Sequence, residues 1–238
     1  MSDARAAELA ANLSEVQARV DAACHAAGRD RGEVTLIVVT KTWPSDDVRR
    51  LAGLGVRDVG ENRDQEAAPK AAATEGLDLR WHFIGQLQTN KAASVARYAD
   101  LVHSVDRPSL VAALDKGAAK AGRRIGCLIE VDLTEGEEGR GGARPDEVAA
   151  LADAIASSEH LDLRGVMGVA PLDRDDQRAA SAAAFARLAA ISADLRLAHP
   201  QATLISAGMS EDLEEAVVAG ATHLRVGSAV LGTRPSLG

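Results

Sequence analysis

The sequence predicts a single (β/α)8 barrel, also called a TIM barrel, with one extra helix at its N-terminal side. Eight short apolar segments rich in Val, Leu and Ile alternate with segments of helical character along the chain. Such alternation requires parallel strands, because each strand returns across the sheet through the helix that follows it. Eight such units within 238 residues favour closure into a barrel. An open doubly wound sheet is the alternative, because periodicity alone does not reveal closure.

The extra helix is predicted over residues 3–28. Its apolar positions Leu9, Leu13, Val16 and Val20 alternate in steps of four and three residues, which places them on one face of a helix. A glycine at the end of this segment supplies a stop signal.

The first half of the chain carries the first four strand–helix units. The β-branched run VTLIVVT predicts a strand at 34–40, and SDDVRRLAGLG predicts a capped helix over 45–55 that ends at glycine. The other strands of this half are expected at 56–60, 80–84 and 101–105, and the other helices at 63–75, 88–98 and 108–121.

The second half repeats the pattern after the longest strand candidate, IGCLIEVD, at 125–132. A glycine-rich acidic stretch at 134–142 follows it, which we interpret as a solvated loop able to cover the mouth of the barrel. Further strands are expected at 163–169, 202–207 and 222–227, helices at 146–158, 174–197 and 211–219, and a short closing segment after them. Because no Pro-, Gly- or Ser-rich linker interrupts these units, we expect residues 1–238 to form one domain.

Composition excludes several classes of function. The 27 basic and 35 acidic residues give a net charge of −8, and aromatic residues make up only 2%, which argues against nucleic-acid binding. No apolar run approaches the roughly 18 residues that span a bilayer, so we expect no membrane association. The start of the chain lacks a basic segment followed by an apolar one, which predicts a cytoplasmic protein. Cys24 and Cys127 have no zinc-binding spacing, so we expect buried thiols and no metal site.

Lys41 is the first candidate site residue, because it follows directly on the buried first strand. In a (β/α)8 barrel the active site lies at the carboxyl ends of the strands. Partial desolvation there would lower the pKa of the ammonium group, and a neutral amine can form a Schiff base with a carbonyl. The alternative is a lysine that keeps its charge in solvent at the end of a strand.

The loops after the seventh and eighth predicted strands carry the signs of an anion site. The stretch SAGMSED at 206–212 and the stretch RVGSA that contains Gly227 and Ser228 combine small residues with hydroxyls at helix starts. Backbone N–H groups can approach a phosphate closely there, although serine before a helix is also ordinary capping chemistry. A phosphate and a carbonyl on one small ligand would satisfy these loops and Lys41 together, and pyridoxal phosphate carries both groups.

Two polar residues are expected to face the interior of the barrel. His82 alternates with the apolar residues on either side of it, and a core histidine with a satisfied hydrogen bond is the alternative to a site role. Arg225 needs an acceptor inside the barrel, so it either joins an ion pair or holds a ligand. A pyridine nitrogen facing this cation would stay unprotonated, which weakens the ring as an electron sink. Glu61, Asn62, Gln86 and Met167 are further candidates for the mouth.

Five stretches, in this order, resemble the pyridoxal phosphate homeostasis protein family. They are VVTKTWP (38–44), VGENRDQE (59–66), WHFIGQLQTNK (81–91), LRGVMGVAP (163–171) and ISAGMSEDLEEAVVAGATHLRVGSAVLGTR (205–234). The combination of WHFIGxLQxNK with a distal GMSxDxExA is specific to that family. The resemblance extends from the first strand almost to the C-terminus.

The resemblance implies a single (β/α)8 barrel similar to the N-terminal domain of fold-type III enzymes such as alanine racemase. It implies that pyridoxal 5'-phosphate forms a Schiff base with Lys41, that Arg225 faces the pyridine nitrogen, and that Asn62 and His82 line the pocket near the ring. By the same resemblance, the phosphate is held by Ser206, Gly208, Met209, Ser210, Gly227 and Ser228.

Three positions depart from the family pattern. The family usually has a second lysine two residues after the Schiff-base lysine, and this position is Trp43 here. Transfer of the cofactor through a second lysine is therefore not expected. The usual tyrosine after Glu-Asn is Arg63, which removes an aromatic contact. A lysine in the loop after the fifth strand is replaced by Arg140, which keeps the charge but does not readily form a Schiff base.

The leading functional hypothesis is a binding protein for pyridoxal phosphate that carries or regulates the cofactor without catalysis. Racemases of this type use a second acid–base group from another domain or subunit, and the only tyrosine, Tyr98, lies in a predicted helix away from the mouth. A small amino-acid racemase is the alternative, followed by a Schiff-base aldolase acting on a sugar phosphate. We expect a monomer, with enzymes that lack their pyridoxal phosphate as its partners.

Overall fold

In a computed structural model of the protein, eight strands run parallel to their neighbours, and the eighth pairs with the first to close a barrel. The structure describes residues 4–134, 141–171 and 176–232. The strands are β1 (Thr35–Val39), β2 (Asp58–Glu61), β3 (Arg80–Phe83), β4 (Leu101–Val105), β5 (Ile125–Glu130), β6 (Leu161–Met167), β7 (Leu204–Ser206) and β8 (His223–Val226). The described helices are α1 (Ala4–Ala26), α2 (Ser45–Gly53), α3 (Asp64–Ala73), α4 (Ala92–Val95), α5 (Pro108–Ala121), α6 (Val148–Ala156), α7 (Gln177–Ala198), α8 (Leu213–Val218) and α9 (Ser228–Leu231). The predicted barrel with an extra N-terminal helix is confirmed, and the open sheet is wrong.

Closure depends on the pairing of β1 with β8. Their register places Thr35 opposite His223 and Val38 opposite Val226. Because β1 also pairs with β2, the loops that follow β8, β1 and β2 lie side by side at the carboxyl ends of the strands, which we call the mouth. The candidate residues of three separate sequence stretches therefore share one end of the barrel.

The core has two layers, separated by the wall of the barrel. Strand side chains that face outward, such as Val38, Val59 and Val226, join the apolar cluster formed with the helices. Alternate residues face inward, where Ile37 and Leu128 are fully buried. The interior also contains buried polar side chains, namely His82, His103, Ser206 and Arg225. A polar barrel interior is costly unless its groups are hydrogen-bonded.

Helix α1 packs against α2, α8 and α9 on the outside of the barrel. Two hydrogen bonds of 2.9 Å join the Arg19 guanidinium to the carboxylate of Glu214 on α8. Near its start, Arg5 donates to the carbonyl of Leu231 at 3.0 Å and lies 4.4 Å from the ring centroid of Trp43. Neither α1 nor any other helix of the described ranges is long and apolar enough to cross a membrane.

The largest difference from the predicted elements lies between β3 and β4. The helix expected at 88–98 is reduced to α4, preceded by a single 3-10 turn at Thr89–Lys91. After α4 the chain forms a turn, in which the N–H of Tyr98 donates to the carbonyl of Val95, three residues before it. Tyr98 therefore lies in a turn rather than in a helix, which corrects its predicted placement.

Gly165 allows β6 to pair closely with β7 next to an irregularity in the pairing of β6 with β5. The pairing of β5 with β6 shifts by one residue between Cys127 and Leu128, and Gly165 lies directly after the shift with a φ of 150°. A Cβ atom at this position would lie 1.9 Å from the carbonyl oxygen of Leu204. Only glycine fits between these two strands.

Gly165→Ala is therefore expected to destabilise the barrel by about 3 kcal/mol or more, because a methyl group would collide with backbone rather than with a movable side chain. The free energy of unfolding in urea measures this loss. Gly53→Ala is the control, since a Cβ atom at Gly53 on α2 would meet no atom within 4 Å. Equal stability of the two variants would contradict the assigned packing.

Candidate functional site at the barrel mouth

Lys41 lies in the turn after β1 and is half-buried. The next residue, Thr42, has a φ of 71°, a conformation that is uncommon for a β-branched residue. Its N–H donates to Oε2 of Glu66 on α3 at 2.8 Å. A carboxylate from a neighbouring helix thus holds the turn that carries the candidate Schiff-base lysine.

A buried network of polar groups lies beside this turn and is formed by Thr40, Glu61 and Lys70. Oε1 of Glu61 accepts hydrogen bonds from Oγ1 of Thr40 and from Nζ of Lys70, both at 2.7 Å. Nζ of Lys70 also donates to the carbonyl of Thr40 at 2.8 Å. Burial raises the pKa of Glu61, while Lys70 and Thr40 act in the opposite direction. Lys70 was not predicted from the sequence, although its position four residues after Glu66 places the two side chains on one face of a helix.

The loops after β7 and β8 meet beside β1. Oγ of Ser228 donates to Oγ of Ser210 at 3.2 Å, and the N–H of Ala229 lies 3.4 Å from the same oxygen. A Cβ atom at Gly227 would lie 3.2 Å from the carbonyl oxygen of Val39, the last residue of β1. The bare backbone of Gly227 therefore lets the eighth loop approach the strand that leads to Lys41.

The structure places Gly208 and Met209 in the same loop as Ser210 and shows what shapes it. Gly208 has a φ of 85°, and a Cβ atom there would lie 2.6 Å from Cβ of Ala216. The N–H of Met209 donates to Oδ1 of Asp212 at 2.6 Å, while the Met209 side chain is exposed. Asp212, which was not predicted as a site residue, is buried and holds the loop through this hydrogen bond.

Arg225 is buried inside the barrel and uses neutral oxygens as its acceptors. Nη1 donates to Oγ of Ser206 at 2.6 Å, and Nη2 donates to the carbonyl of Gly168 at 2.9 Å. Burial lowers the pKa of Arg225 to about 10, while the charges of Asp212 and Glu130 act to raise it. Arg225 is therefore a cation at neutral pH, and the hydroxyl of Ser206 is engaged within the barrel rather than beside Ser210.

His82 faces inward, and both of its ring nitrogens are engaged. Nε2 lies 2.9 Å from Oδ1 of Asp58, and Nδ1 lies 2.9 Å from Nε2 of His103. Nδ1 of His103 in turn lies 2.9 Å from Oγ of Ser206. Asp58 and His103 were not predicted, because strands this short do not reveal which inward residues touch across the barrel.

Asn62 follows β2 at the mouth, and its backbone packs against Gly85. A Cβ atom at position 85 would lie 2.2 Å from the carbonyl oxygen of Asn62, which accounts for the glycine in WHFIGQLQTNK. The side-chain Oδ1 of Asn62 is buried and has no hydrogen-bond partner among the described residues. A cavity of about 500 Å³ opens beside Asn62, lined also by Arg63, Asp64, Gln65, Glu66, Phe83, Gln86, Leu87, Gln88 and Lys91. It lies next to the turn of Lys41 rather than around it.

Glu130 ends β5 on the side of the mouth opposite β1. Burial and the charge of Asp106 raise its pKa to about 7, and the charge of Arg225 opposes this shift. No group of three or more metal-ligating side chains occurs in the part of the chain that the structure describes.

Two of the three residues that depart from the family pattern lie in the described part of the chain. The ring of Trp43 packs under the guanidinium of Arg5, and the guanidinium of Arg63 lies 3.9 Å from the carboxylate of Glu66. Arg140 lies outside the described residues.

Comparison with known proteins places this geometry in a family. The family model for the alanine racemase N-terminal domain matches residues 7–235. A pyridoxal phosphate homeostasis protein of Mycobacterium tuberculosis is 41% identical over an aligned length of 249 residues, and the alignment covers 97% of this chain and 94% of the relative. The chain belongs to the pyridoxal phosphate homeostasis protein family.

Solved structures agree with this membership. PipY of Synechococcus elongatus PCC7942, with PLP bound, matches with a TM-score of 0.81 and 33% identity over 94% of this chain and 100% of PipY. The alanine racemase of Streptomyces coelicolor matches with a TM-score of 0.74 and 20% identity, over 97% of this chain and 59% of the racemase. The racemase thus shares the barrel fold, while the homeostasis proteins match over nearly their whole length.

The contact between Thr42 and Glu66 leads to a stability prediction. Glu66→Ala is expected to lower the free energy of unfolding by about 1 kcal/mol, because the N–H of Thr42 loses its acceptor while the left-handed backbone remains. Thr42→Gly in the same background should recover most of this loss, since glycine adopts a positive φ at little cost. Urea denaturation measures both effects.

The control is Glu75→Ala, which removes an exposed glutamate just after α3. A Glu66→Ala protein as stable as this control would contradict the role of Glu66, as would a Thr42→Gly change that recovers nothing.

Proposed function

We propose that the protein binds pyridoxal 5'-phosphate as a Schiff base on Lys41 and serves the homeostasis of this cofactor inside the cell. The observation that carries the proposal is the match to PipY, solved with PLP bound, which this chain covers over its full length. The mouth offers an amine, two hydroxyls and a buried cation at the positions that the family resemblance assigns.

The described residues fit the two ends of such a cofactor. Bound pyridoxal phosphate supplies an aldehyde for reaction with an amine and a phosphate for anchoring. Ser210 and Ser228 place two hydroxyls together, and Gly227 exposes backbone beside them. The unpartnered Oδ1 of Asn62 offers a further polar contact near the turn of Lys41. Small residues and hydroxyls at adjacent loop ends are suited to a phosphate.

The charge of Arg225 favours storage of the cofactor over its use in catalysis. A guanidinium keeps its charge at neutral pH, so a pyridine nitrogen that accepts from it stays unprotonated. An unprotonated ring is a poor electron sink, which disfavours abstraction of a proton from a bound amino acid. We therefore propose that this chain carries or regulates the cofactor and that Lys41 shields the aldehyde from side reactions.

The position of Tyr98 argues against the alternative of an amino-acid racemase. Its hydroxyl lies 3.4 Å from Oδ1 of Asp64, and its ring packs edge-on against Trp81, which faces outward from β3. Burial raises the pKa of the Tyr98 phenol above its ordinary value. The only tyrosine of the chain therefore lies in the layer of helices and not inside the barrel.

The cellular setting follows from the same proposal. We propose that residues 1–238 form one domain, that the protein is a cytoplasmic monomer, and that enzymes lacking pyridoxal phosphate are its recipients. The exposed large apolar residues support the monomer, since Leu197 and Val218 lie on different helices rather than on one stripe.

An absorbance spectrum of the purified protein tests the proposal directly. We expect a Schiff-base band in the visible or near-ultraviolet range that disappears on borohydride reduction, with the pyridoxyl group mapped to the peptide containing Lys41. Lys41→Ala should lose the band, and Lys91→Ala, which removes a lysine beside the neighbouring cavity, should keep it. A wild-type protein that stays colourless with added pyridoxal phosphate would overturn the proposal. Exchange of the α-proton of amino acids in deuterated water, lost in Lys41→Ala, would instead support the racemase.

The phosphate assignment has its own test. Combining Ser210→Ala with Ser228→Ala is expected to weaken retention of pyridoxal phosphate about tenfold or more, because two hydroxyl contacts to a charged group are lost. Ser157→Ala with Ser158→Ala, which removes two hydroxyls at the end of α6, is the matched control. Equilibrium dialysis measures retention, and thermal unfolding checks that both proteins remain folded. Unchanged affinity in the first pair would defeat the assignment.

A further inference from the structure

The buried polar residues of the interior form one continuous chain across the barrel. It runs from Arg225 through Ser206, His103 and His82 to Asp58, with successive distances of 2.6, 2.9, 2.9 and 2.9 Å. Every member is at least nine-tenths buried. These five residues, which we call the relay, come from β8, β7, β4, β3 and β2.

The two ends of the relay fix the direction of its hydrogen bonds. Arg225 is a cation and donates to Ser206. At the other end, burial alone would raise the pKa of Asp58, but hydrogen bonds from His82 and Arg80 outweigh burial and lower it. Asp58 is therefore a carboxylate that only accepts.

The middle of the relay then has a single consistent arrangement. Burial holds the pKa of His103 well below its ordinary value, so its ring is neutral and carries one N–H. If His82 donates from Nε2 to Asp58, its Nδ1 must accept from Nε2–H of His103. Nδ1 of His103 is then free to accept the hydroxyl hydrogen of Ser206. Each donor meets one acceptor, and every hydrogen points from Arg225 toward Asp58.

The opposite arrangement requires an extra proton and leaves a group unsatisfied. A doubly protonated His82 would donate to Nε2 of His103, which would then donate from Nδ1 to Ser206. The hydroxyl hydrogen of Ser206 would have no acceptor among the residues that the structure describes. The other titratable group that acts on His103 is His223, whose ring centroid lies 6.1 Å from that of His82. His223 in turn faces the charges of Arg80 and Arg164. His223 bonds to Thr222 and takes no part in the relay.

We propose that the hydrogen bonds of the relay all run in one direction, from Arg225 to Asp58, and that they position the guanidinium of Arg225 at the mouth of the barrel. Ser206 is thereby a positioning residue for Arg225, in place of the phosphate contact that the family resemblance suggests. The effect on cofactor binding rests on the proposed function, whereas the relay itself is a property of the protein alone.

Nitrogen-15 NMR of histidine side chains in the cofactor-free protein tests the relay without any ligand. We expect His82 and His103 both to be neutral with the hydrogen on Nε2, the two signals being assigned with His82→Gln and His103→Gln. Asp58→Ala removes the final acceptor, so we expect the Nε2 signal of His82 to change, while His103 keeps its hydrogen on Nε2 because the hydroxyl of Ser206 still needs Nδ1 of His103 as its acceptor. Arg80→Ala, which removes the other partner of Asp58 and leaves the bond to His82, should change neither ring.

Finding His103 with its hydrogen on Nδ1 in the wild-type protein would overturn the relay. If Asp58→Ala does not fold, this wild-type spectrum and Arg80→Ala still decide the matter.

Binding of pyridoxal phosphate tests the positioning role. Ser206→Ala is expected to weaken binding about tenfold, because the guanidinium loses one acceptor, and to alter the pH dependence of the absorbance band. The band itself should still form on Lys41 at saturating cofactor. His223→Gln, which replaces a half-buried histidine outside the relay, should behave as the wild type. Unchanged affinity and spectrum in Ser206→Ala would refute the positioning role, whereas absence of a band in the wild type would refute the proposed function instead.

Discussion

The pairing of β8 with β1 is the constraint on which the rest of the structure depends. This pairing closes the barrel and places the loop of Gly227 and Ser228 beside the turn of Lys41. The contact is close because Gly227 has no side chain to separate the loop from the carbonyl of Val39. Without closure, the amine of the first loop and the hydroxyls of the last two loops would lie at opposite edges of a sheet. One ligand could then not reach both.

The polar interior is the second consequence of this architecture. A barrel of eight strands leaves just enough space inside for side chains to fill. Here part of that space contains histidine, serine and arginine, whose burial is tolerated because these side chains are hydrogen-bonded to one another. The arrangement gives a buried cation at the mouth that no carboxylate of the described residues contacts directly. Arg225 can therefore direct its charge to a ligand rather than to an internal ion pair.

The sequence was sufficient for the barrel, for the extra helix and for the end of the barrel where the candidate residues gather. Strand alternation and the loop positions contain that information. The interior contacts were not predictable, because the partner of an inward residue depends on the stagger of strands that are far apart in the chain. His103 and Asp58 illustrate this, since neither belongs to a motif that sets it apart from an ordinary strand residue. The turn held by Glu66 was equally hidden, because a positive φ at a threonine has no sequence signature.

The contact between the start and the end of the described chain has a consequence for how the protein is made. Arg5 donates to the carbonyl of Leu231, which is 226 residues away in sequence. During synthesis α1 and β1 leave the ribosome before the other described elements, and β1 keeps one unpaired edge until β8 is made. An unpaired parallel edge can pair with other chains, so the nascent protein is exposed to misassembly for almost the whole of translation. The N-terminal helix packs against α8 and α9, so most of its contacts with other helices form only when the last units of the barrel are made.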